Sequence, residues 1–329
     1  MRASAATSLG LALGCAADAA FGDPRRGHPV AGFGRAAAAA ERRLWRDRRD
    51  AGALFTALCV GTVAAAGYAA DRAARRSATA RVLLTAAGTW TVLGGASLVR
   101  EARTIGAALE AGDLAAARER LPYLCGRDPR ELTEQQVARA VVESVAENTA
   151  DAVVNALVWG AVAGVPGLLA FRAVNTLDAM VGHRSSRYVR FGWASARLDD
   201  VAGWPGARLT ALLTLVAATA AGGRRNGEAG RSGAGGGGGT AWRVWRRDAS
   251  AHPSPNAGQA EAAFAGALGV RLGGTLRYGA RVEHRPVLGG ELRPVEVGDI
   301  ERACVLSRRV GRLAVAATAG AALLRRGRR

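Results

Sequence analysis

The chain has 329 residues, 49% of them hydrophobic, and a formal net charge of +18. A hydrophobic share of that size is high for a soluble domain and fits several membrane spans separated by polar loops. The basic excess is arginine alone, in short clusters beside apolar runs such as Arg42, Arg43, Arg46, Arg48 and Arg49 before Ala51, where membrane proteins place positive charge. No nucleic-acid-binding module accompanies it, so the expected partner is the lipid bilayer and not nucleic acid.

In chain order, the charge-poor apolar stretches are 5–21 (interrupted by Asp18), 51–70, 82–99, 152–171, 207–221 and 313–324. A span takes about 20 residues, so 51–70 and 152–171 fit best, and roughly four to six crossings are expected. The first stretch follows Arg2 and resembles a secretory signal. An uncleaved helix is expected, because one arginine makes a poor basic region and a polar motif, Gly22-Asp23-Pro24, follows at once. Segment 100–151 reads as amphipathic helix with turns at Gly112-Asp113 and near Gly126. Thr133 with Gln136 forms a capping box that starts a helix running into the fourth stretch. The four cysteines, Cys15, Cys59, Cys125 and Cys304, have no metal-ligand spacing and are expected to be inert thiols.

The fold class predicted is all-α, a polytopic helical membrane protein whose extramembrane loops carry the polar motifs. Residues 1–221 form the helical membrane region, 222–240 a Gly/Arg-rich flexible linker, 241–305 an extramembrane cap, and 306–329 an apolar helix with a basic tail. The linker is not a phosphate-binding loop, because the terminal Gly-Lys-Ser/Thr is missing.

Three constellations carry candidate chemistry. Glu143, Glu147 and Asp151 recur every four residues, which places them on one helix face with Asn155 continuing the row and Asn148 beside it. Stacked carboxylates repel unless an arginine or a hard cation lies against them, and this row runs into an apolar span, where polar groups tend to be functional. The second group is Asn175, Asp178, His183, Arg184, Arg187, Arg197, Asp199 and Asp200. Arg197 with Asp200 is either a plain i, i+3 ion pair or part of a magnesium and phosphate site. The third, His252-Pro-Ser254-Pro-Asn256-Ala-Gly258, is a stiff loop able to present its side chains, or simply a turn. Asp23 and His28 sit in a similar turn, where they serve a site or cap a helix.

Taken in order, Gly22-Asp23-Pro24 with His28-Pro29-Val30, Glu143-Ser-Val-Ala-Glu147-Asn148-Thr-Ala-Asp151, Ala173-Val-Asn175-Thr-Leu-Asp178-Ala-Met-Val-Gly182, Phe191-Gly-Trp-Ala-Ser-Ala-Arg197-Leu-Asp199-Asp200 and His252-Pro-Ser-Pro-Asn-Ala-Gly258 resemble the CobD/CbiB family of cobalamin biosynthesis. The resemblance spans nearly the whole chain. It implies an integral-membrane adenosylcobinamide-phosphate synthase, an ATP-dependent ligase that joins aminopropanol or its phosphate to adenosylcobyric acid. ATP and Mg2+ are the implied cofactors, other cobalamin-biosynthesis enzymes are possible partners, and the site is expected to face the cytoplasm.

Under that resemblance Glu143, Glu147, Asp151, Asp199 and Asp200 are expected to bind metal. Asp23, Asn175, Asp178, Arg184, Arg187, Arg197 and Ser254 are expected to contact substrate or phosphate, and His28, His252, Asn148 and Asn256 to serve catalysis, with one histidine accepting the amine proton. A transporter or regulatory protein related to the family is the alternative. A topological problem accompanies either reading: if every apolar stretch crosses, 172–206 emerges opposite 100–150, unless one stretch is re-entrant.

Overall fold

The computed structural model describes residues 3–23, 27–126, 128–222, 236–278 and 281–324. Most of the linker expected at 222–240 therefore lies outside the described residues, as do Pro24 and the basic tail. Five helical runs are long and apolar enough to cross a membrane: Ala3–Phe21, Arg49–Ala74, Ala78–Glu110, Glu134–Gly182 and Trp193–Ala220. The fold is that of a polytopic helical membrane protein. The chain divides into two compact units, one from residues 1–94, 151–206 and 315–329, the other from 95–150 and 207–314.

The first unit holds α1 (Ala3–Phe21), α2 (Pro29–Leu44), α3 (Arg49–Ala74), α4 (Ala78–Val92) and α8 (Asn155–Leu177), with the first half of α9 (Trp193–Gly222). In α1, Gly10 and Gly14 lie one turn apart, and an added Cβ at either would come within 2.5 and 2.4 Å of Thr85 and Thr89 in α4. This is small-residue packing, which membrane helices use in place of a hydrophobic driving force. The third apolar stretch is not one helix: α4 ends at Val92, and the amide of Gly94 bonds the carbonyl of Ala152 before α5 begins. The glycine pair 94–95 tolerates that change of direction.

The fourth stretch departs most from expectation. Helix is continuous in hydrogen bonding from Glu134, but α7 (Glu134–Thr149) passes through a π-helical segment at Ala150–Val154 before α8. There the bonds run i to i+5, so the i, i+4 row expected from Glu143 to Asn155 is interrupted. Within α8, Gly164 takes φ 64° and ψ −148°, a conformation open to glycine alone. Beyond it the chain turns back. A Cβ on Gly167 would lie 2.4 Å from the carbonyl oxygen of Trp159, and one on Gly160 would lie 2.9 Å from Leu168. Residues eight apart in a straight helix stand about 12 Å apart along the axis, so α8 is a helical hairpin. Pro166 at its tip packs on Gly67 of α3, and Val165 and Leu168 face Gly88 of α4.

Each apolar arm of the hairpin is at most roughly a dozen residues, about 18 Å long, against a hydrocarbon core of about 30 Å. Neither arm of the stretch 152–171 is long enough to cross by itself, which fits the re-entrant alternative, and Arg172 returns toward Asp151.

Asn155 has a structural task. Pro205 inside α9 has no amide hydrogen and disturbs the helix around it. The Gly206 amide bonds the Asn155 side-chain oxygen at 2.9 Å, while the carbonyl of Ala202, its usual partner, accepts from Trp159 Nε1 at 2.9 Å. Replacing Asn155 by Leu leaves a buried amide without an acceptor, and a loss of about 1–3 kcal/mol is expected. Chemical or thermal denaturation in detergent measures it, and an unchanged midpoint would show that the bond is dispensable.

The second unit contains α5 (Gly95–Glu110), α6 (Leu114–Arg120), α7, α10 (Gly238–Asp248), α11 (Ala257–Leu268), strands β1 (Leu272–Tyr278) and β2 (Arg281–Leu288), and most of α12 (Asp299–Leu324). The Thr133/Gln136 capping box is formed as expected. The expected cap contains an antiparallel hairpin, β1 with β2, which the all-α pattern did not anticipate. Buried Asp299, at the start of α12, bonds Arg293, Arg302 and the amide of Glu296. Burial opposes its charge, but these partners prevail and hold its carboxyl below the usual range. Cys304 is buried, which pushes its thiol up to about 11 and makes it unreactive.

Candidate functional site

The α8 hairpin determines which motif residues meet in the first unit. Asp151 lies in the π segment before its first arm, and Arg172 near the end of its second. Asp23 follows Gly22, whose carbonyl accepts a bond from Trp90 Nε1 at 2.9 Å and whose φ of 63° turns the chain out of α1. The carboxylates of Asp23 and Asp151 both act electrostatically on the Arg172 guanidinium. Arg172 Nη1 reaches Asn175 at 3.4 Å, its Nε is buried with no acceptor, and Asp23 Oδ1 is buried with no donor. Three sequence motifs thus converge on one charged cluster.

Beside it, His28, Val30, Ala31, Gly34, Arg35 and Ala38, from α2 and its N-cap, face Arg172, Thr176 and Met180 across a pocket of about 610 Å³. His28 Nδ1 accepts the Val30 amide at 3.1 Å, capping α2. The neutral ring then carries its proton on Nε2, which makes it a donor.

Arg187, Arg197 and Asp200 of the second motif group have structural partners. Arg187 bonds Glu41 at 3.1 Å and stacks over Trp45, and the Tyr188 hydroxyl donates to Glu41 at 2.9 Å. Hydrogen bonding with Tyr188, then Glu41, holds the Arg187 guanidinium more firmly protonated. Arg197 and Asp200 form the i, i+3 pair at 3.4 Å. Asp199 is half-buried on α9, Arg184 is exposed, and the Asp178 carboxylate lies over the α-carbon of Gly182, where no side chain fits. Phe191 is buried against Phe55, and its carbonyl lies where a Cβ on Gly52 would be.

In the second unit, Glu143 is 2% exposed, accepts the Gly273 amide at 2.7 Å and faces Arg139 at 3.8 Å. Its cationic neighbour is thus an arginine. Glu147 and Asn148 are half-buried on the same helix, the latter bonded to the Ser144 carbonyl. The His252–Gly258 loop turns inward. Ser254 Oγ accepts the amides of Asn256 and Ala257 at the start of α11, and His252 Nδ1 accepts the Ser254 amide while Nε2 lies 3.8 Å from buried Glu261. Arg208 bonds Asn256 at 3.3 Å. A Cβ on Gly258 would lie 2.4 Å from the Ala249 carbonyl, so the motif's glycine is demanded by packing.

Among the described residues no group of three or more His, Cys, Asp or Glu side chains is placed to hold a metal ion. Magnesium does not need such a cage, since it is usually held by one or two carboxylates together with substrate phosphates and water. Asp23, with its orphaned oxygen, and Asp151 are the two carboxylates that act on Arg172. Sequence reasoning singled out both but missed Arg172, Arg35 and Thr176. Arg172 was visible as the first charge after the apolar stretch 152–171.

A polytopic helical membrane protein in which two carboxylates act on a buried arginine at the base of a helical hairpin is the class that this geometry defines. The chain matches the CobD/Cbib protein family over residues 11–307. It is 52% identical over 317 residues to the cobalamin biosynthesis protein CobD of Mycobacterium tuberculosis (strain H37Rv), covering 96% of this chain and 94% of that one. With the proteins of that name from Geobacter metallireducens and Chromobacterium violaceum it shares 44% identity over 284 residues (85% of each chain) and 40% over 329 residues (97% of each). No solved structure matches. The chain belongs to the CobD/CbiB family and functions in cobalamin biosynthesis.

Proposed function

We propose that this protein is the ATP-dependent ligase that converts adenosylcobyric acid to adenosylcobinamide or its phosphate by amide formation with aminopropanol or aminopropanol phosphate. The observation that carries the reading is the convergence of Asp23, Asp151 and Arg172 in a member of this family. A corrin carboxylate is a poor electrophile. Transfer of the terminal phosphoryl group of ATP gives an acyl phosphate and ADP; the amine then attacks the carbonyl carbon, phosphate departs, and the nitrogen loses a proton.

Asp23 and Asp151 would hold magnesium together with the nucleotide phosphates, and the ion would supply charge neutralisation during phosphoryl transfer. Arg172 stabilises negative charge on the phosphoryl oxygens through donors that the protein leaves open. Asn175 and Asp178 line the continuation of the same helix. Glu143, engaged by Gly273 and Arg139, and Asp200, paired with Arg197, are assigned to positioning. His28 and His252, both acceptors at Nδ1, are assigned as Nε2 donors and not as the amine's base.

Purified in detergent and supplied with adenosylcobyric acid, ATP and magnesium, the protein is expected to convert the corrinoid to a species heavier by the amine less one water. Parallel reactions with aminopropanol and its phosphate show which amine is taken. A corrinoid of unchanged mass with both amines would overturn the reading.

A further inference from the structure

The geometry points to the pocket between α2 and the second arm of α8 as a phosphoryl-anion site, held by Arg35, Arg172 and His28. Among the described residues its charged lining is Arg35 and Arg172, with Asp23 and Asp151 acting on Arg172 from outside the lining. Arg35 is exposed and lines the pocket, and Arg172 Nε is buried without an acceptor. His28, whose Nδ1 is occupied by its cap bond, lines the same space and keeps Nε2 as its remaining donor. Guanidinium groups match phosphate oxygens in bidentate fashion, which sets this class of ligand above a simple halide. The rest of the wall is Val30, Ala31, Gly34, Ala38 and Met180, so the site joins a cationic end to an apolar flank.

The ligation reading supplies the identity of the phosphoryl group, and the assignment rests on it for that alone; the anion site is testable without turnover. The same chemistry has two sources, a soluble phosphoryl compound or the headgroup of an anionic phospholipid beside a membrane protein.

Gly34 provides a clean probe. No atom lies within 4 Å of a Cβ placed there, so Gly34→Leu fills the pocket without a clash and favours the helix. The full chain in detergent is titrated with inorganic phosphate at constant ionic strength while its thermal midpoint is followed. Wild type is expected to show a saturable rise that sodium chloride does not produce. Arg35→Gln is expected to keep the phosphate-free midpoint and Gly34→Leu to keep or raise it, while both weaken the apparent affinity about tenfold or more, the first by loss of a charge-assisted contact and the second by filling the space. No saturable rise in wild type, or an unchanged affinity in both variants, overturns the site.

In a second arm, phosphatidylglycerol replaces phosphatidylcholine in the micelle. Loss of the phosphate response in wild type only with phosphatidylglycerol assigns the site to a lipid headgroup, and persistence in both assigns it to a soluble ligand. Phosphate binding without ligation in the corrinoid assay would leave this site standing while the ligase reading falls. Ligation without phosphate binding would do the reverse.

Discussion

Gly167→Ala lowers the stability of the purified protein by about 1–3 kcal/mol, the range for overpacking a well-filled contact, and Gly167→Val prevents folded protein from accumulating. The new Cβ would sit 2.4 Å from the Trp159 carbonyl oxygen and 2.7 Å from Ala163 Cβ. Neither can move away, because one is backbone and the other lies on the facing arm of the same hairpin. Gly61→Ala in α3 is the control, since nothing lies within 4 Å of its Cβ position. That change is expected to be neutral or stabilising by up to about 1 kcal/mol. If the two variants unfold alike, α8 runs straight and the hairpin is wrong. Gly164→Ala gives an independent check through backbone strain, since its φ of 64° and ψ of −148° exclude a side chain whatever space surrounds it.

The hairpin shows where hydropathy reading stops. Residues 152–171 form an unbroken apolar plateau, and averaging over a window registers how apolar a stretch is without registering its direction. Gly164 and Pro166 inside that plateau were the available signal, because a glycine two residues before a proline marks a turn in any other setting. Likewise Gly10 and Gly14 announced close helix packing that a span count ignores. The outer boundaries of α1, α3 and the capping box at Thr133 were readable because they follow from local chemistry alone.

Motif residues were legible as residues but not as roles. Ser254 and His252 look like presented ligands in a proline-rich loop; Ser254 Oγ also caps the start of α11, and His252 Nδ1 also accepts the Ser254 amide. Arg187 and Arg197 look like phosphate anchors, and the fold supplies both with carboxylates. The π segment at Ala150–Val154 has no recognisable sequence signature, and it interrupts the carboxylate row between Glu147 and Asn155.

That interruption makes the carboxylates separable by experiment. Asp151→Asn is expected to lower ligation turnover about 10²–10³-fold, the usual consequence of removing one group that stabilises developing charge, a loss larger than any change in the thermal midpoint explains. Asp23→Asn should behave the same way, because its buried oxygen has no protein donor to lose. Glu143→Gln should show the opposite pattern. The Gly273 amide keeps an acceptor, but the charged partner of Arg139 disappears, so stability falls by about 1–3 kcal/mol while turnover per folded molecule stays within a few-fold. Arg172→Met removes the cation on which Asp23 and Asp151 both act, and both turnover and stability should fall. Measured side by side, turnover and midpoint sort the row into chemistry and scaffold. Full activity in Asp151→Asn together with loss of activity in Glu143→Gln would move the reacting groups to the second unit, and the cluster around Arg172 would then be an ion network that holds the hairpin closed.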